Sequence, residues 1–288
     1  MARLIINADD FGLTPGVNRS VAELHQARAL TSATLMATST FFDEAVSLAQ
    51  ANPTLEVGCH VVLVDGTPAL PAAQIPSLVA ANGQFRDKLG RFAADLFMGR
   101  IRAEELEAEA TAQIRRVQDA GLLVSHIDTH KHTHVFPRVL RPLLRAARAC
   151  GVRAIRNPFE PDWALRVTPA AGRLRRIAVV ALDSQRRTFL RLVQEAGLAT
   201  TSGTIGVLAT GTLDVVTTLN RLLAAFPAGE TTWELVCHPG HPDEHLDRVR
   251  TRLRASRGLE HTALLEAIPR SGVALGSWRD LATSRPGS

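Results

Sequence analysis

The sequence contains no tyrosine, three tryptophans and three cysteines in 288 residues. Cys59, Cys150 and Cys237 are odd in number and far apart, which is typical of reduced, buried thiols and not of a disulfide framework. No aromatic residues alternate with the basic clusters, as stacking on single-stranded nucleic acid would require. We therefore expect no nucleic-acid partner, although the formal net charge is +5.

Long apolar runs are also missing from the sequence. No stretch reaches about 18 apolar residues, so a transmembrane helix is not predicted. The N-terminus lacks a basic segment followed by an apolar stretch and a cleavage site, and we expect no signal peptide. Together with unpaired cysteines, these absences favour a cytoplasmic protein. A composition of 45% hydrophobic and 21% charged residues is that of an ordinary globular protein.

The positive charge comes almost entirely from arginine. Basic clusters occur at 173–176, 186–187 and 248–257. Arginine-rich helices commonly present such residues to solvent, and we interpret these clusters as solvated helix faces.

Apolar patterning predicts strands that alternate with helices. Strands are predicted at 3–8, 33–38, 55–63, 122–128, 152–156, 231–238 and 272–278. Helices are predicted at 16–29, 41–51, 102–120, 138–150, 212–226 and 243–267, with a mainly helical stretch at 160–200. Thr14 as the N-cap and Pro15 in the first turn support the first helix. This alternation predicts an α/β protein with a largely parallel sheet.

Two segments lack a clear pattern of this kind. Residues 64–90 are rich in proline and glycine and predict a long loop, which is usually functional or mobile in a compact domain. The tail from about 280 to 288 is expected to be disordered. We find no linker, and we predict one domain over residues 1–288.

Polar residues follow several of the predicted strands. They are Asp9 and Asp10, His60, the histidine run that begins at His126, and His238. In parallel α/β proteins, sites form beyond the carboxyl ends of the strands. The pattern therefore predicts one site to which several strands contribute.

The strongest local signal is the segment HIDTHKHTH at 126–134. Histidine is the commonest metal ligand near neutral pH, but an extended segment of this length would cover about 26 Å at ~3.3 Å per residue. Only one or two of its histidines can then reach one ion. His130 and His134 would face the same way in a helical turn, whereas His126 is better placed to support the site structurally.

Asp9 and Asp10 are adjacent carboxylates at the end of a strand. One carboxylate with two imidazoles can hold a divalent ion, and a second carboxylate can act as a general base on water. Neighbouring strand residues face opposite sides of a sheet, so both acids reach one pocket only if the strand breaks there. Gly12 makes such a turn feasible.

His238 lies at the end of a strand, before Pro239 and Gly240. It is our candidate for the general acid that protonates a leaving group. Among the other histidines, His25 and His261 are expected on helix surfaces. Cys59 and Cys237 alternate with His60 and His238 and are expected to pack away from the site.

These motifs together resemble the YdjC-like carbohydrate deacetylases, which include chito-oligosaccharide deacetylases. The resemblance rests on NADDFG, the strand ending at Gly58–His60, the H-x-D-x-H-x-H-x-H run and CHPG, which span positions 7–240. The loop sequences VLVDGTPALP, IPSLV and NGQFRD are similar to the branch associated with hopanoid biosynthesis.

The resemblance implies a distorted TIM-like (β/α) barrel and metal-dependent N-deacetylation of an acetylated amino sugar. By motif position, Asp10, His60 and His130 would hold one divalent metal ion, zinc or magnesium first among the candidates, and Asp9 would be the base. The remaining motif residues would contact substrate or support the ligands: Phe11, His126, Asp128, His132 and His134.

The hopanoid branch implies an N-acetylglucosaminyl hopanoid lipid as the substrate. Residues 61–64 and 68–79 are an apolar stretch from which a groove for the lipid could form. Such a substrate would add peripheral membrane contact, and enzymes of this size often form homodimers.

Three alternatives remain open from the sequence. They are a deacetylase of chito-oligosaccharides, a glycoside hydrolase that uses Asp9 and Asp10 as its acid pair, and a non-catalytic metal- or carbohydrate-binding protein. Adjacent residues rarely provide the carboxylate separation of about 5 Å or more that a glycoside hydrolase needs.

Overall fold

The described structure is built around a parallel sheet of six strands. A computed structural model describes residues 1–168, 173–213, 218–249 and 253–283. The strands are Arg3–Phe11 (β1), Ser32–Leu35 (β2), Glu56–Val61 (β3), Val124–Thr129 (β4), Thr204–Ile205 (β5) and Thr232–Cys237 (β6). They lie in the order β4-β3-β2-β1-β6-β5, and every pair is parallel. The predicted α/β class is confirmed.

Helices follow the strands on the outside of the sheet. The helices are Pro15–Gln26 (α1), Phe42–Ala51 (α2), Leu89–Phe97 (α3), Ala103–Asp119 (α4), Pro137–Ala149 (α5), Asp162–Val167 (α6), Arg173–Leu182 (α7), Arg186–Glu195 (α8), Asn220–Ala224 (α9), Glu244–Arg248 (α10), Arg257–Ala267 (α11) and Trp278–Thr283 (α12). Short 3₁₀ turns occupy Ala72–Gln74, His130–Val135 and Asp183–Gln185. The Thr14 hydroxyl accepts the Val17 N–H, so the predicted cap of α1 is confirmed.

Single bridges continue the sheet beyond β4 and curl it into a distorted barrel. Ile127 pairs with Ile155, and Ala154 pairs with Ala199, both in parallel. The segment after Ala199 leads into β5, which pairs with β6. The predicted distorted TIM-like (β/α) barrel is thereby confirmed, with an irregular side between β4 and β5.

The sheet is buried because helices cover its outer face and side chains fill its interior. All the residues of β2, β3 and β4 are buried, which is characteristic of parallel sheets. The interior holds an unusual number of charged groups, among them Arg156 and Glu234, both without solvent exposure. Such groups are stable there only when they are paired.

Several predicted elements differ from the observed ones. The strand expected at 152–156 is reduced to two single bridges, and that at 272–278 to one bridge at Leu275 before α12. The loop expected to 90 gives way to α3, a helix that the sequence did not predict. Residues 280–283 of the segment expected to be disordered belong to α12, and 284–288 lie outside the described residues.

Two long predicted helices are shorter or broken. Within 212–226 the structure describes α9, and residues 214–217 lie outside the described part. The helix expected at 243–267 is interrupted after α10, where Val249 has an extended conformation, and resumes at α11.

The three cysteines are free and buried, as predicted. In the described ranges, no helix has the length and apolar content needed to cross a membrane.

Candidate active site

The β1 strand breaks at the acidic pair, so that Asp9 and Asp10 both reach the interior of the barrel. Asp10 has a φ of 63°, and the register between β1 and β2 shifts between Ala8 and Phe11. Gly12 follows with a φ of 94°. Non-glycine residues rarely adopt this left-handed conformation, and it is found most often at functional sites. Asp9 and Asp10 are 3% and 4% exposed, so both are removed from bulk water.

Asp10, His60 and His130 bring three potential ligand atoms together. Asp10 Oδ1 lies 3.6 Å from His60 Nε2 and 3.4 Å from His130 Nδ1. The two imidazole nitrogens are 3.3 Å apart. The three residues come from the ends of β1, β3 and β4, which is where the polar residues of the sequence predicted a site.

These spacings fit one divalent ion. Ligands at about 2.0–2.1 Å from a tetrahedral ion are separated by about 3.3–3.4 Å, close to the three distances observed. His60 and Asp10 are also held through their other polar atoms. His60 Nδ1 lies 2.7 Å from Asp128 Oδ1, and Arg257 donates to Asp10 Oδ2 at 2.5 Å. Ligand histidines characteristically have a carboxylate partner of this kind, because it sets the tautomer and the ring orientation.

Asp9 is held by a buried guanidinium and not by the triad, as we call Asp10, His60 and His130. Arg156 donates to Asp9 Oδ2 at 2.9 Å and to Asp9 Oδ1 at 2.7 Å. Asn7 adds a hydrogen bond to Asp9 Oδ1 at 3.0 Å. Burial would raise the pKa of Asp9, but Arg156 and His60 hold it well below its usual range. The carboxylate is therefore ionised and oriented before any substrate binds.

Arg156 serves three carboxylates at once. Besides Asp9, it contacts Asp128 and donates to Glu234 Oε1 at 2.8 Å. One guanidinium cannot neutralise three buried acids, and burial, opposed by Arg156, raises the pKa of Glu234 to about 7. The Glu234 carboxyl is therefore the member of this group that holds a proton near neutral pH.

The electrostatics around His60 favour a cation. Burial would lower the pKa of His60, but the Asp128 carboxylate raises it to about 9. For Asp10, burial opposes the effect of Arg257 and His130, and its pKa lies well below its usual range. A negative pocket of this kind stabilises a positive charge at its centre, whether a proton or a metal ion.

His238 lies beside Asp9, directly after β6. Its Nε2 is 3.8 Å from Asp9 Oδ2, and its backbone N–H donates to Glu260 Oε2 at 2.6 Å. Burial lowers the pKa of His238 to about 4 in spite of the nearby carboxylates. The imidazole is therefore neutral at neutral pH.

The remaining histidines of the run do not join the triad. His126 is fully buried and stacks on Trp278 with ring centroids 4.1 Å apart. His134 Nδ1 lies 2.7 Å from Thr129 Oγ1, and its ring is near Phe189. The alternative of His134 as a partner or replacement for His130 therefore has no support in the geometry. His132 has a φ of 51°, and burial lowers its pKa to about 3.

Some sequence-based expectations need correction. Of the two roles expected for Phe11, substrate contact and support of the ligands, only support is compatible with its complete burial in the hydrophobic core. His261 is 8% exposed and not a surface residue. Arg257, placed by its cluster on a solvated face, is fully buried against Asp10. Val61 to Val64 are packed in the core and cannot line an open groove.

Three buried residues of the site were not predicted, namely Arg156, Glu234 and Arg257. Arg156 ends the apolar segment VRAIR and Glu234 interrupts the apolar strand TTWELVC. A charged residue inside a buried strand must be paired, and this signal could have identified both.

Comparison with known proteins places this geometry in a family context. A family model described as YdjC-like protein matches residues 3–271. A carbohydrate deacetylase of Mus musculus is 30% identical over 306 aligned positions, covering 99% of this chain and 96% of that protein. A carbohydrate deacetylase of Brevibacillus brevis is 42% identical over 161 residues, which span 56% of this chain and 60% of that protein.

A solved structure is similar over the whole chain. It is that of an Enterococcus faecalis V583 protein, provisionally assigned to cellobiose-phosphate cleavage. The TM-score is 0.76 at 27% identity, and the match covers 98% of this chain and 99% of the other.

Proposed function

We propose, because this chain belongs to the YdjC-like protein family, that it is a metal-dependent carbohydrate deacetylase. It hydrolyses the acetamide of an N-acetylglucosamine-containing substrate and releases acetate. The observation that carries the proposal is the triad of Asp10, His60 and His130, with donor atoms 3.3–3.6 Å apart, beside a separate ionised carboxylate. The deacetylases among its relatives support the reaction class.

Asp10, His60 and His130 would hold the ion, with zinc or magnesium the leading candidates. A divalent ion at such a site polarises a carbonyl and lowers the pKa of water. Asp128 accepts a hydrogen bond from the Nδ1–H of His60, which leaves the Nε2 lone pair directed at the ion position. The side chain of His130 is 21% exposed, so the site opens to solvent at this residue.

Asp9 and His238 divide the proton transfers. Asp9 accepts a proton from the attacking water, since it is ionised and oriented by Arg156. His238 is neutral at neutral pH and must receive a proton before it can act as an acid. Asp9 lies 3.8 Å from His238 Nε2 and can pass on the proton that it took from water. The leaving amine then receives this proton from His238.

The ionisation of Asp9 and Asp10 argues against the glycoside hydrolase alternative. A glycosidase needs one carboxylic acid that is protonated near neutral pH. Arginine partners hold the pKa of both Asp9 and Asp10 well below the usual range. Neither acid can therefore supply the proton for the leaving group.

The finer proposal is that the substrate is an N-acetylglucosaminyl hopanoid lipid, acted on at a membrane surface by a cytoplasmic homodimer. The loop sequence between 62 and 87 supports this branch. An exposed apolar patch adds support: Phe97 is 66% and Met98 54% exposed. Phe97 packs edge-on against Phe136, which directly follows the turn that carries His130.

The cavity in the long loop is a less suitable place for a lipid. It has a volume of about 540 Å³ and is lined by Val79–Asn82, Phe85–Asp87 and Arg91. Its charged side chains would lose hydration against an alkyl chain, so we assign the lipid to the patch of Phe97, Met98 and Phe136.

An acetate-release assay tests the proposal. The protein, loaded with zinc or with magnesium, is given a chito-oligosaccharide or an N-acetylglucosaminyl hopanoid. Chelator-sensitive acetate release with the glycosidic bond intact supports the deacetylase, and preference for the lipid supports the finer proposal. Chelator-insensitive release of free sugar would instead identify a glycoside hydrolase, and metal binding without any product a binding protein.

A further inference from the structure

A second group of imidazole and carboxylate side chains lies outside the active site. Glu23 on α1, His241 in the loop after β6, and His261 on α11 have donor atoms that all lie within 4.8 Å of one another. His241 Nε2 is 2.6 Å and His261 Nε2 is 3.8 Å from the same oxygen, Glu23 Oε2. Three separate segments of the chain therefore bring three potential metal ligands together.

The inner histidine of this group is held in a suitable orientation. His261 Nδ1 lies 2.7 Å from the hydroxyl of Ser20, which is fully buried. When Nδ1 carries the proton and donates to Ser20, the lone pair of His261 Nε2 is left facing Glu23. Outer hydrogen bonds of this kind orient the histidines of metal sites.

The outer histidine is held through its backbone. The N–H of His241 donates to the carbonyl of Gly16 at 3.1 Å, and the Gly16 N–H donates to Asp243 at 2.7 Å. A Cβ on Gly16 would lie 2.3 Å from the His241 oxygen, so glycine is needed for this approach. The loop that carries His241 is thus fastened to the start of α1.

The group remains accessible to a metal ion. The side chain of Glu23 is 44% exposed and that of His241 is 29% exposed, whereas His261 forms the floor at 10%. Two imidazoles and one carboxylate suit zinc, with water as the remaining ligand.

We propose that Glu23, His241 and His261 form a second, structural zinc site that fastens the loop after β6 to α1 and α11. Binding would replace the hydrogen bond between His241 and Glu23, and the proton of the neutral His241 imidazole would then lie on Nδ1, which leaves the Nε2 lone pair for the ion. The proposal does not depend on the function proposed above, because none of the three residues belongs to the triad.

Such a site would stabilise the position of His238. The same loop runs from His238 to His241, and the Gly240 N–H donates to the Arg257 carbonyl on α11 at 3.2 Å. Glu260, the neighbour of His261, accepts the backbone N–H of His238. An ion bound to both His241 and His261 would therefore join the loop that carries His238 to α11, whose Glu260 binds the His238 backbone.

Zinc stoichiometry tests the proposal. The full chain is stripped with chelator, reloaded with zinc, passed through a desalting column and analysed for bound metal. We expect two zinc ions per chain for the wild type, and one for the H241A/H261A variant. One ion is also expected for H130A, in which the remaining ion is the structural one. The variant H245A, a histidine on the exposed side of the neighbouring α10, should keep both ions.

Two milder variants exclude misfolding as the cause of a loss. Glu23→Gln changes a partly exposed side chain and should also remove the second ion. Ser20→Ala should weaken zinc binding at this site by about 10–100-fold. In the H130A background, zinc should raise the midpoint of thermal unfolding, and the further change H261A should abolish that rise.

The opposing result is clear. If H241A/H261A and Glu23→Gln bind as much zinc as the wild type, the second site does not exist. If the wild type binds one ion that H130A retains and H241A/H261A loses, the second site stands and the catalytic ligand assignment fails. The two proposals therefore fail separately.

Discussion

The guanidinium of Arg156 donates a hydrogen bond to each carboxylate oxygen of Asp9, with N–O distances of 2.9 and 2.7 Å. The two residues are separated by 147 positions in the chain. Because such planar, paired hydrogen bonds fix direction as well as charge, Arg156 determines where the proposed base points. The same side chain also contacts Asp128 and Glu234, so it links the proposed base to the buried charges of the barrel.

Replacement of Arg156 by methionine should destabilise the protein. The change leaves three buried carboxylates without their cation, and loss of one partner from a buried ionic group costs about 3–5 kcal/mol. Urea unfolding at neutral pH measures the loss. Arg191→Ala, which removes an exposed ion pair with Glu195, is the matched control and should stay within about 0.5 kcal/mol. Equal stabilities for the two variants would show that the buried group is not structurally important.

Asp9→Asn should abolish turnover and leave metal binding intact. A positioned general base contributes about 10²–10⁴-fold to a rate, and Asp9 is not one of the triad donors. The readouts are kcat for acetate release and metal content after desalting. Asp43→Asn, on the exposed start of α2, is the control. Wild-type turnover in Asp9→Asn would mean that the base is assigned wrongly.

The sequence anticipated that Asp10, His60 and His130 lie close together, but not how neighbouring residues support them. The break of β1 at Asp9 and Asp10 could be anticipated, since adjacent strand residues cannot otherwise share a pocket, and the φ of 63° at Asp10 confirms it. The predicted strand end at 128 also agrees with the end of β4 at Thr129, and His130 lies in the turn that follows. Both features depend on the local backbone conformation, which can be predicted from a short stretch of sequence.

The supporting ion pairs depend on contacts that no local pattern contains. Arg156 stands out in the sequence because it ends an apolar segment, but this pattern does not identify its partners, and Arg257 lies within a basic cluster. Their partners are 147 and 247 positions away. Only the closure of the barrel brings them together, so a local pattern could not separate Arg257 from the solvated arginines around it. His261 was misplaced for the same reason, because α11 packs against α1.

His130→Ala should lose the metal of the active site. The substitution removes one of the three metal donors. The control His132→Asn leaves all three donors in place, and asparagine, like histidine, tolerates the left-handed backbone conformation of position 132. Titration with cobalt(II), followed by its visible absorption, measures occupancy of the site. We expect H130A to show no triad signal and His132→Asn to show the wild-type signal. An unchanged signal in H130A would exclude His130 as a ligand.

The titration of Glu234 should make stability fall as the pH rises towards neutrality. Burial raises its pKa from 4.5 to about 7 in the folded protein. The folded state then binds the proton more tightly than the unfolded state, so this contribution is complete below the unfolded pKa and is lost as the pH rises through the folded pKa. Glu234→Gln removes the contribution.

Urea unfolding of the wild type and Glu234→Gln at about pH 5 and about pH 8 measures it. The stability of the wild type relative to the variant should be greater at the lower pH. The exposed Glu195→Gln variant should show no such dependence. A difference that grows with pH would mean that Arg156 dominates over burial and that Glu234 is ionised in the folded protein.

The apolar patch should distinguish a lipid substrate from a soluble one. Replacement of Phe97 and Met98 by serine removes exposed apolar area that a lipid would cover, and the loss of even one buried apolar side chain weakens binding by about tenfold or more. We expect KM for the N-acetylglucosaminyl hopanoid to rise by about that factor, with kcat unchanged. KM for a chito-oligosaccharide should not change. Leu123→Ser is the control, because Leu123 is 68% exposed but lies at the amino end of β4, away from His130. An equal change in KM for both substrates, or no change for the lipid, would show that the patch does not recognise the lipid.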